Sequence, residues 1–321
     1  MKRTLLLAML SMLTLAAAPM WGFFAHQRIN RLAVFTLPPD LIGFYKKHIA
    51  TITEASVNPD RRRYAVPEEG ARHFMDVDHY GDSVVEGMPR NWFDASEAFE
   101  EDTLKDHGIL PWHIYAMYLR LRDAFMVRDP GLIIKISAEL GHYVADAHVP
   151  LHTTKNYNGQ LTGQEGIHGF WESRLPEVFS NEYDFMVGRA EYLNDPRQAA
   201  WDIVMSSHAL VDAVLNKEKE LERQYAEKKY SFEQRGNTTV KVYAMEYTAA
   251  YHRALDGMVE AQMRASIKMI GSYWLTAWID AGQPDMRKLI HYSPSEEELA
   301  RNRAELEEWK AGRCSGGRGH E

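Results

Sequence analysis

The sequence predicts an all-α protein, and three observations support that prediction. Apolar side chains recur at intervals of three and four residues in most segments, which is the period of an α-helix with one buried face. Proline residues stand where several of these runs begin or end. No convincing run shows the alternation of a half-buried strand. We therefore expect a single multi-helix domain packed around one core.

The apolar runs place the individual helices. The predicted helical segments cover residues 29–37, 112–127, 130–149, 201–215 and 239–279. Pro38-Pro39 ends the first segment, and Pro150 ends the third. Gly257 interrupts the last segment, and we expect a bend there.

Two stretches lack the helical pattern. Residues 51–105 are polar and punctuated by prolines, and residues 150–169 are rich in Gly and Asn. Long irregular segments inside a compact domain are uncommon and often functional. Both stretches contain candidate ligand residues, so we expect them to contribute to a site.

The C-terminal region is more highly charged than the body of the chain. Ser295 followed by three glutamates is typical of a helix start, and the charged helix is expected to end near Gly312. The remaining tail is predicted to be disordered. The sequence thus divides into a signal peptide over residues 1–20, a domain over 21–292, and a charged helix with a disordered tail over 293–321.

Composition excludes some classes of protein. Apolar residues make up 45% of the chain and charged residues 26%, which is ordinary for a globular protein with a sizeable core. The formal net charge of -8 gives no basic surface for tracking a nucleic-acid backbone. Bound metal ions would add positive charge where a phosphate group would lie.

The first residues are typical of a secretory signal. Lys2 and Arg3 precede an apolar stretch from Leu5 to Leu15, and three small residues follow at 16–18. The apolar run is short for a membrane-spanning helix, so we expect cleavage, export to the periplasm or the extracellular space, and no integral membrane anchor after processing. Cys314 is the only cysteine, so an intrachain disulfide is impossible.

The chemistry-bearing motifs begin with His142 and Asp146. Residues four apart lie on one face of a helix, so this imidazole and carboxylate can bind the same ion. His152 follows after Pro150, and His168 with Glu172 forms a second pair of the same spacing. Neutral imidazole and carboxylate are ligands that suit zinc, and three protein ligands leave a position open for catalysis.

A third pair, His252 and Asp256, has the same spacing, but no further ligand type follows it. We interpret it as an ordinary helix-surface pair. His148 lies on a different side of its helix from His142. We therefore expect His148 to be buried in the core or to contact a ligand residue without binding the metal. The sequence leaves open whether Asp76 and Asp78 orient ligand histidines or contact substrate.

These motifs resemble those of a known family. The run from His142 to His152, followed by His168-Gly-Phe-Trp-Glu172, is similar to the bacterial zinc-dependent phospholipases C and the S1/P1 nucleases. The similarity extends to Trp21-Gly-x-x-Ala-His26 and to His73-Phe-x-Asp76-x-Asp78. The resemblance implies the all-α phospholipase C/P1 nuclease-like fold and three Zn²⁺ ions.

The resemblance also implies how the ligands are shared among the three ions. Asp60, His73, His142 and Asp146 would bind the first ion. A second, more separate ion would be held by His152, His168 and Glu172. The third would be bound by His26, by the amino group and carbonyl of Trp21, and by Asp146 as a bridge from the first ion.

Asp60 and Arg63 receive their roles from the resemblance alone. Their pattern, Asp60-x-x-Arg63-Tyr64, is similar to that of the S1/P1 branch. There the acid is a ligand that orients the attacking water, and the arginine stabilises the phosphorane transition state. The implied reaction is an in-line attack on phosphorus by a hydroxide that bridges two close ions. Asp60, Arg63 and Asp146 are therefore the expected catalytic residues.

The substrate remains divided between two classes of phosphodiester. The spacing from Trp21 to His26 and the Asp60–Arg63 pattern favour an S1/P1-type nuclease on single-stranded nucleic acid. Glu172, where that branch usually has Asp, Ser173, where it often has Asn, and the lack of disulfides favour phospholipase C. We favour the nuclease narrowly. No protein partner is predicted.

One further alternative is a protein without catalytic activity. The charged C-terminal helix and the departures at Glu172 and Ser173 are compatible with a non-catalytic metal-binding surface protein. The complete set of ligand types argues against it. The third ion also requires cleavage directly before Trp21, whereas the small-residue preference of signal cleavage favours a cut after Ala18.

Overall fold

The computed structural model describes residues 22–225, 228–235 and 238–312, and the architecture over these residues is mainly helical. The predicted signal segment, Trp21 and the tail with Cys314 lie outside the described residues. The all-α prediction is confirmed for the body of the chain, apart from one short hairpin.

The helices are numbered in chain order. In the N-terminal part they are α1 Gly22–Ala33, α2 Pro39–Lys47, α3 Ile49–Ala55, α4 Asn58–Arg62, α5 Val77–Tyr80, α6 Asp82–Gly87, α7 Trp92–Phe99 and α8 Glu101–Asp106. The central helices are α9 Leu110–Val127, α10 Pro130–Ala147, α11 Ile167–Gly169 and α12 Leu175–Phe179. The C-terminal helices are α13 Pro196–His208, α14 Val211–Tyr225, α15 Met245–Ala254, α16 Met258–Asp280 and α17 Glu296–Ala311.

The core lies where α9, α10 and α16 pack against one another, with α1 and α13 beside them. Trp274 of α16 is fully buried, stacks on Tyr45 and donates a hydrogen bond to the carbonyl of Ser137 on α10. Close packing of these apolar faces is the main source of stability for such helices. The packing fixes α10, which carries the first candidate ligands.

Helix α10 begins and ends where the sequence predicts. The side chain of Asp129 caps it by accepting a hydrogen bond from the backbone N–H of Leu132, and Pro130 fills the first turn, where no N–H is needed. The helix ends at Ala147, shortly before Pro150. Gly141 lets α1 approach closely, because a Cβ there would clash with the side-chain amide of Asn30.

The prediction that the chain lacks strands is wrong at one place. Strands β1 Tyr230–Arg235 and β2 Thr238–Tyr243 pair antiparallel, with Tyr230 opposite Tyr243. The expected long helix over 239–279 therefore starts only at Met245, and it is divided at Gly257, whose φ of 77° suits glycine. Tyr230 and Phe232 alternate with the polar residues Ser231 and Glu233, and a Gly-Asn dipeptide follows β1 in the sequence; together these features are a hairpin signal.

The prediction that residues 51–105 form an irregular stretch is also wrong. It contains helices α3 to α8, most of them only one or two turns long. Helices this short present too few turns for apolar periodicity to emerge. Their starts follow local rules, since Pro59 opens α4 and the side chain of Asn91 caps α7.

The charged C-terminal helix forms as predicted. Ser295 and Glu298 make the reciprocal hydrogen bonds of a capping box at the start of α17. The helix packs on α4, where Trp309 is buried and the guanidinium of Arg62 lies over its ring. The helix therefore covers the segment that carries Asp60. In residues 22–225, 228–235 and 238–312, no helix combines the length and apolar character needed to cross a membrane.

Candidate metal centre

Eight of the nine predicted ligands gather in three buried groups that can each hold a metal ion. The ninth, Trp21, lies outside the described residues. The groups are His26 with His142 and Asp146, then Asp60 with His73 and His142, and finally His152 with His168 and Glu172. Within each group the ligand atoms all lie within 4.8 Å of one another.

The first centre of this arrangement is built around His142. Its Nδ1 donates a hydrogen bond to the carbonyl oxygen of Ser56 at 2.9 Å, which leaves Nε2 as the nitrogen with a lone pair. That Nε2 lies 3.1 Å from Nδ1 of His73 and 3.7 Å from Oδ1 of Asp60. Two ring nitrogens and a carboxylate oxygen therefore converge on one point.

Asp146 joins this centre to a neighbouring one. Its Oδ2 lies 2.9 Å from Nδ1 of His73 and 3.3 Å from Nε2 of His142. Its other oxygen, Oδ1, lies 3.2 Å from Nε2 of His26. The ring of His26 stacks on that of His142 with centroids 4.0 Å apart. The two oxygens of one carboxylate thus face two different sets of imidazoles.

The remaining centre is formed by residues 152–172, in the segment that follows α10. Nε2 of His152 lies 3.1 Å from Nε2 of His168 and 3.2 Å from Oε2 of Glu172. Nε2 of His168 lies 3.0 Å from the same carboxylate oxygen. Glu172 belongs to a π-helical turn, Phe170–Arg174, inserted between α11 and α12. Such single π-turns occur frequently at functional sites.

Backbone contacts hold His152 beside His73. Nδ1 of His152 donates to the carbonyl oxygen of His73 at 2.5 Å, and the N–H of Met75 donates to the carbonyl oxygen of His152 at 2.9 Å. Asp78 fixes the residues that follow, because its carboxylate accepts hydrogen bonds from Thr154 Oγ1 and from the N–H of Lys155. The irregular segments around 73 and 152 are therefore positioned by each other.

The spacing of these atoms fits zinc. Four ligands bound about 2.0–2.1 Å from a zinc ion lie about 3.3 Å apart at the corners of a tetrahedron. The contacts between Asp60, His73, His142 and Asp146 range from 2.9 to 3.9 Å. Imidazole and carboxylate donors without thiolate are typical of zinc sites that retain an open position. The residues present therefore fit the predicted cofactor.

The electrostatics of the site favour added positive charge. Burial by itself raises the pKa of Asp146, but the facing His142 and His152 outweigh it and hold the pKa well below its usual range. Burial by itself lowers the pKa of His152, but Asp146 and Glu172 outweigh it and raise the pKa to about 9. Either a proton on His152 or a bound cation would compensate the negative charge of the carboxylates of Asp146 and Glu172.

A pocket is lined by ligand residues from two of the three groups. Its lining includes His73, His152 and His168 together with Arg63, Phe74 and Tyr157. Nη1 of Arg63 lies 3.5 Å from Oδ1 of Asp60, and the arginine side chain is buried. The pocket therefore brings one arginine and two aromatic residues together with ligands from two of the three groups.

The other histidines and acids singled out in the sequence join none of the three groups found among the described residues. His148 is buried, donates from Nδ1 to the carbonyl of Val144, and joins none of the groups found among the described residues. His252 interacts with the hydroxyl of Tyr183 and stacks on Phe179. Asp76 contacts His107, at 3.4 Å between Oδ2 and Nδ1. Within the described part of the chain, this carboxylate is thus directed at a histidine outside the three groups.

Sequence reasoning missed Glu69. This fully buried carboxylate lies 3.6 Å from Nε2 of His73, on the side opposite the ligand atom. The spacing of four between Glu69 and His73 is the same signal that identified His142 with Asp146 and His168 with Glu172. Applied to residues in the order acid then histidine, it would have found Glu69.

Comparison with known proteins adds no assignment. No protein-family model matches the chain, and a search of curated proteins finds no match. The resemblance to zinc-dependent phospholipases C and S1/P1 nucleases therefore stays a prediction from motifs.

Proposed function

We propose that this protein is an exported zinc-dependent phosphodiester hydrolase, with single-stranded nucleic acid as its substrate. One observation carries the proposal: three buried groups of His and carboxylate side chains lie close together, two of them sharing His142, and members of two groups line a pocket that also contains Arg63. A cluster of adjacent cation sites beside a buried arginine matches the charge of a phosphodiester in its transition state.

The protein's own residues would bind and orient the phosphate. Zinc, when bound, supplies Lewis acidity that makes water nucleophilic near neutral pH and polarises a phosphoryl oxygen. Arg63 would bind a non-bridging phosphate oxygen through its guanidinium and offset the negative charge that develops there. Asp60, 3.5 Å from Arg63, would accept a hydrogen bond from the attacking water and align it.

Two aromatic walls support nucleic acid as the substrate class. Phe74 and Tyr157 border the same pocket as Arg63. Flat nucleobases stack on aromatic side chains at about 1–3 kcal/mol per base without reading sequence, which suits single strands. A net charge of -8 argues against long-range tracking of duplex nucleic acid, so we expect recognition close to the scissile phosphate.

A phospholipase C is the second candidate. Glu172 in place of the nuclease branch's usual Asp favours it, and the carboxylate of Glu172 contacts both His152 and His168. The ligand chemistry is the same for both substrates, because each offers a phosphodiester. Only the group beside the phosphate differs.

Product analysis separates the two candidates. Zinc-loaded protein is incubated with single-stranded DNA, single-stranded RNA and phosphatidylcholine micelles, and an Asp60→Asn variant serves as the catalytic control. We expect release of nucleotides, with no diacylglycerol. Release of diacylglycerol alone would establish the second candidate, and hydrolysis of none of these substrates would contradict both.

Export and the third ion can be tested together. We expect the exported protein to begin at Trp21, because only a free amino group at this residue could bind the third ion together with His26. N-terminal sequencing of the secreted chain checks this. A start at Pro19 would contradict the assignment of Trp21 as a ligand and leave His26 and Asp146 as the only chain ligands proposed for the third ion.

A further inference from the structure

His73 presents a different nitrogen to its metal group from the other histidines. It directs Nδ1 toward Asp146, at 2.9 Å. The other four ligand histidines direct Nε2 toward their groups; they are His26, His142, His152 and His168. A neutral imidazole has one N–H and one lone pair, so the tautomer of His73 must be the reverse of the others.

Backbone carbonyls set the tautomer of two of the histidines. Nδ1 of His142 donates to Ser56, and Nδ1 of His152 donates to His73, in both cases to a carbonyl oxygen. His73 needs its proton on Nε2 instead. That nitrogen is buried and makes no hydrogen bond within the described residues, and a carboxylate oxygen of Glu69 faces it at 3.6 Å.

Glu69 is itself held firmly in place. Its side chain is 0% exposed and lies against two arginines. Arg62 donates to both of its oxygens, at 2.8 and 3.2 Å, and Arg72 donates at 2.5 Å. The hydroxyl of Tyr143 donates a short hydrogen bond to it as well. A carboxylate fixed by four such contacts has little freedom to turn away from His73.

We propose that Glu69 is a positioning residue, which holds the proton of His73 on Nε2 and thereby directs the Nδ1 lone pair to the metal. The inference rests on the proposed zinc-dependent function. A carboxylate on the far nitrogen of a ligand histidine fixes its tautomer and ring orientation, and raises its basicity as a ligand. Glu69 does not touch the substrate pocket residues Arg63, Phe74 or Tyr157 through any hydrogen bond described for it.

The chain offers a matched control for this role. Glu139 is also buried and binds the same arginine, with its oxygens 3.0 and 3.3 Å from the guanidinium of Arg62. None of its described hydrogen bonds or ion pairs involves a ligand histidine. Glu69→Gln and Glu139→Gln therefore remove the same charge from the same buried network, and only the first changes the group facing His73.

Metal competition tests the proposal without relying on activity. Wild-type, Glu69→Gln and Glu139→Gln proteins are loaded with zinc and titrated with a chromophoric chelator, and folding of each is checked by circular dichroism. We expect Glu69→Gln to lose one zinc ion at a chelator concentration about 10- to 100-fold lower than the concentration that the other two proteins require. Identical release from both variants would overturn the positioning role, whereas a wild-type protein that binds no zinc would overturn the proposed function itself.

A wild-type measurement keeps the test available if Glu69→Gln does not fold. In zinc-loaded protein labelled with ¹⁵N, we expect the ring proton of His73 on Nε2, deshielded and slow to exchange, because this nitrogen is buried and faces the carboxylate of Glu69. A proton on Nδ1, or an Nε2 proton that exchanges rapidly with water, would overturn the proposal.

Discussion

Oδ2 of Asp146 lies 2.9 Å from Nδ1 of His73, although the two residues come from a long helix and from a distant 3₁₀ turn. Its other oxygen faces His26 at 3.2 Å. Asp146 therefore belongs to two ligand sets at once. A carboxylate in this position is expected to bridge two ions, and its loss should affect both.

Asp146→Asn is expected to remove two of three bound zinc ions. An amide carries no charge and replaces one acceptor oxygen with an N–H₂ group, which cannot bind a metal. We expect a rate of phosphodiester hydrolysis lower by at least about 10³-fold. Metal content by mass spectrometry and initial rates provide the measurement.

The control for this variant is Asp256→Asn, at the acid of the His252 pair that lies outside the metal groups. Asp256 has a φ of 48°, a conformation that Asn tolerates well. We expect full zinc content and wild-type rates. An Asp146→Asn protein that behaves like this control would contradict the bridging role.

Glu172→Gln is expected to remove one ion only. Glu172 contacts His152 and His168 but belongs to neither of the groups that share His142. The zinc content of the variant should therefore fall by one ion per chain, in contrast to the loss of two in Asp146→Asn. Parallel metal analysis of the two variants makes the comparison, and an equal loss in both would show that the three groups do not act as separate sites.

Arg63→Ala is expected to lower turnover while zinc content stays complete. The guanidinium lines the pocket without belonging to any metal group, so its removal costs transition-state stabilisation of on the order of 10²- to 10³-fold in rate. Arg61→Ala is the matched control, since Arg61 lies two positions away and hydrogen-bonds Asn58. A similar, small effect of both substitutions would remove Arg63 from the catalytic residues.

His113 is expected to make the free energy of unfolding decrease as the pH is lowered. Burial, reinforced by the charge of Arg72, lowers the pKa of His113 well below 6.5. As the pH falls through about 6.5, the unfolded chain binds a proton that the folded chain does not, so the free energy of unfolding decreases. The contribution is fully present above that pH.

Urea unfolding of chelator-treated wild-type and His113→Phe proteins between pH 8 and 5 measures this contribution. The variant keeps an aromatic ring against Tyr143, whose ring lies 4.4 Å from that of His113. We expect a shallower loss of stability below pH 6.5 in the variant. Parallel curves for the two proteins would show that His113 does not carry the effect.

Much of the candidate site could be predicted from sequence, since its signals are local. His142 with Asp146 and His168 with Glu172 are spaced by one helical turn, and the structure places each pair on one face. Asp60 and His26 have no such partner in sequence. Their proximity to His73 and Asp146 depends on how α4 and α1 pack on α10, which periodicity does not specify.

The parts of the fold that were missed have a common physical origin. Helices α3 to α8 are too short to display a buried face, and the hairpin of β1 and β2 alternates over only six residues per strand. Tertiary contacts stabilise both. Tyr243 of β2 stacks on Phe170, the first residue of the turn that carries Glu172, with ring centroids 3.7 Å apart. No window of local sequence contains that contact.

We propose that three adjacent zinc sites perform phosphodiester hydrolysis. The most direct test measures zinc per chain and hydrolysis of single-stranded DNA on the same purified protein, before and after chelation and after zinc is added back. We expect three zinc ions per chain, and a rate that is lost on chelation and restored by zinc. A folded protein that binds no zinc, or one that is fully loaded and cleaves no phosphodiester, would contradict this proposal.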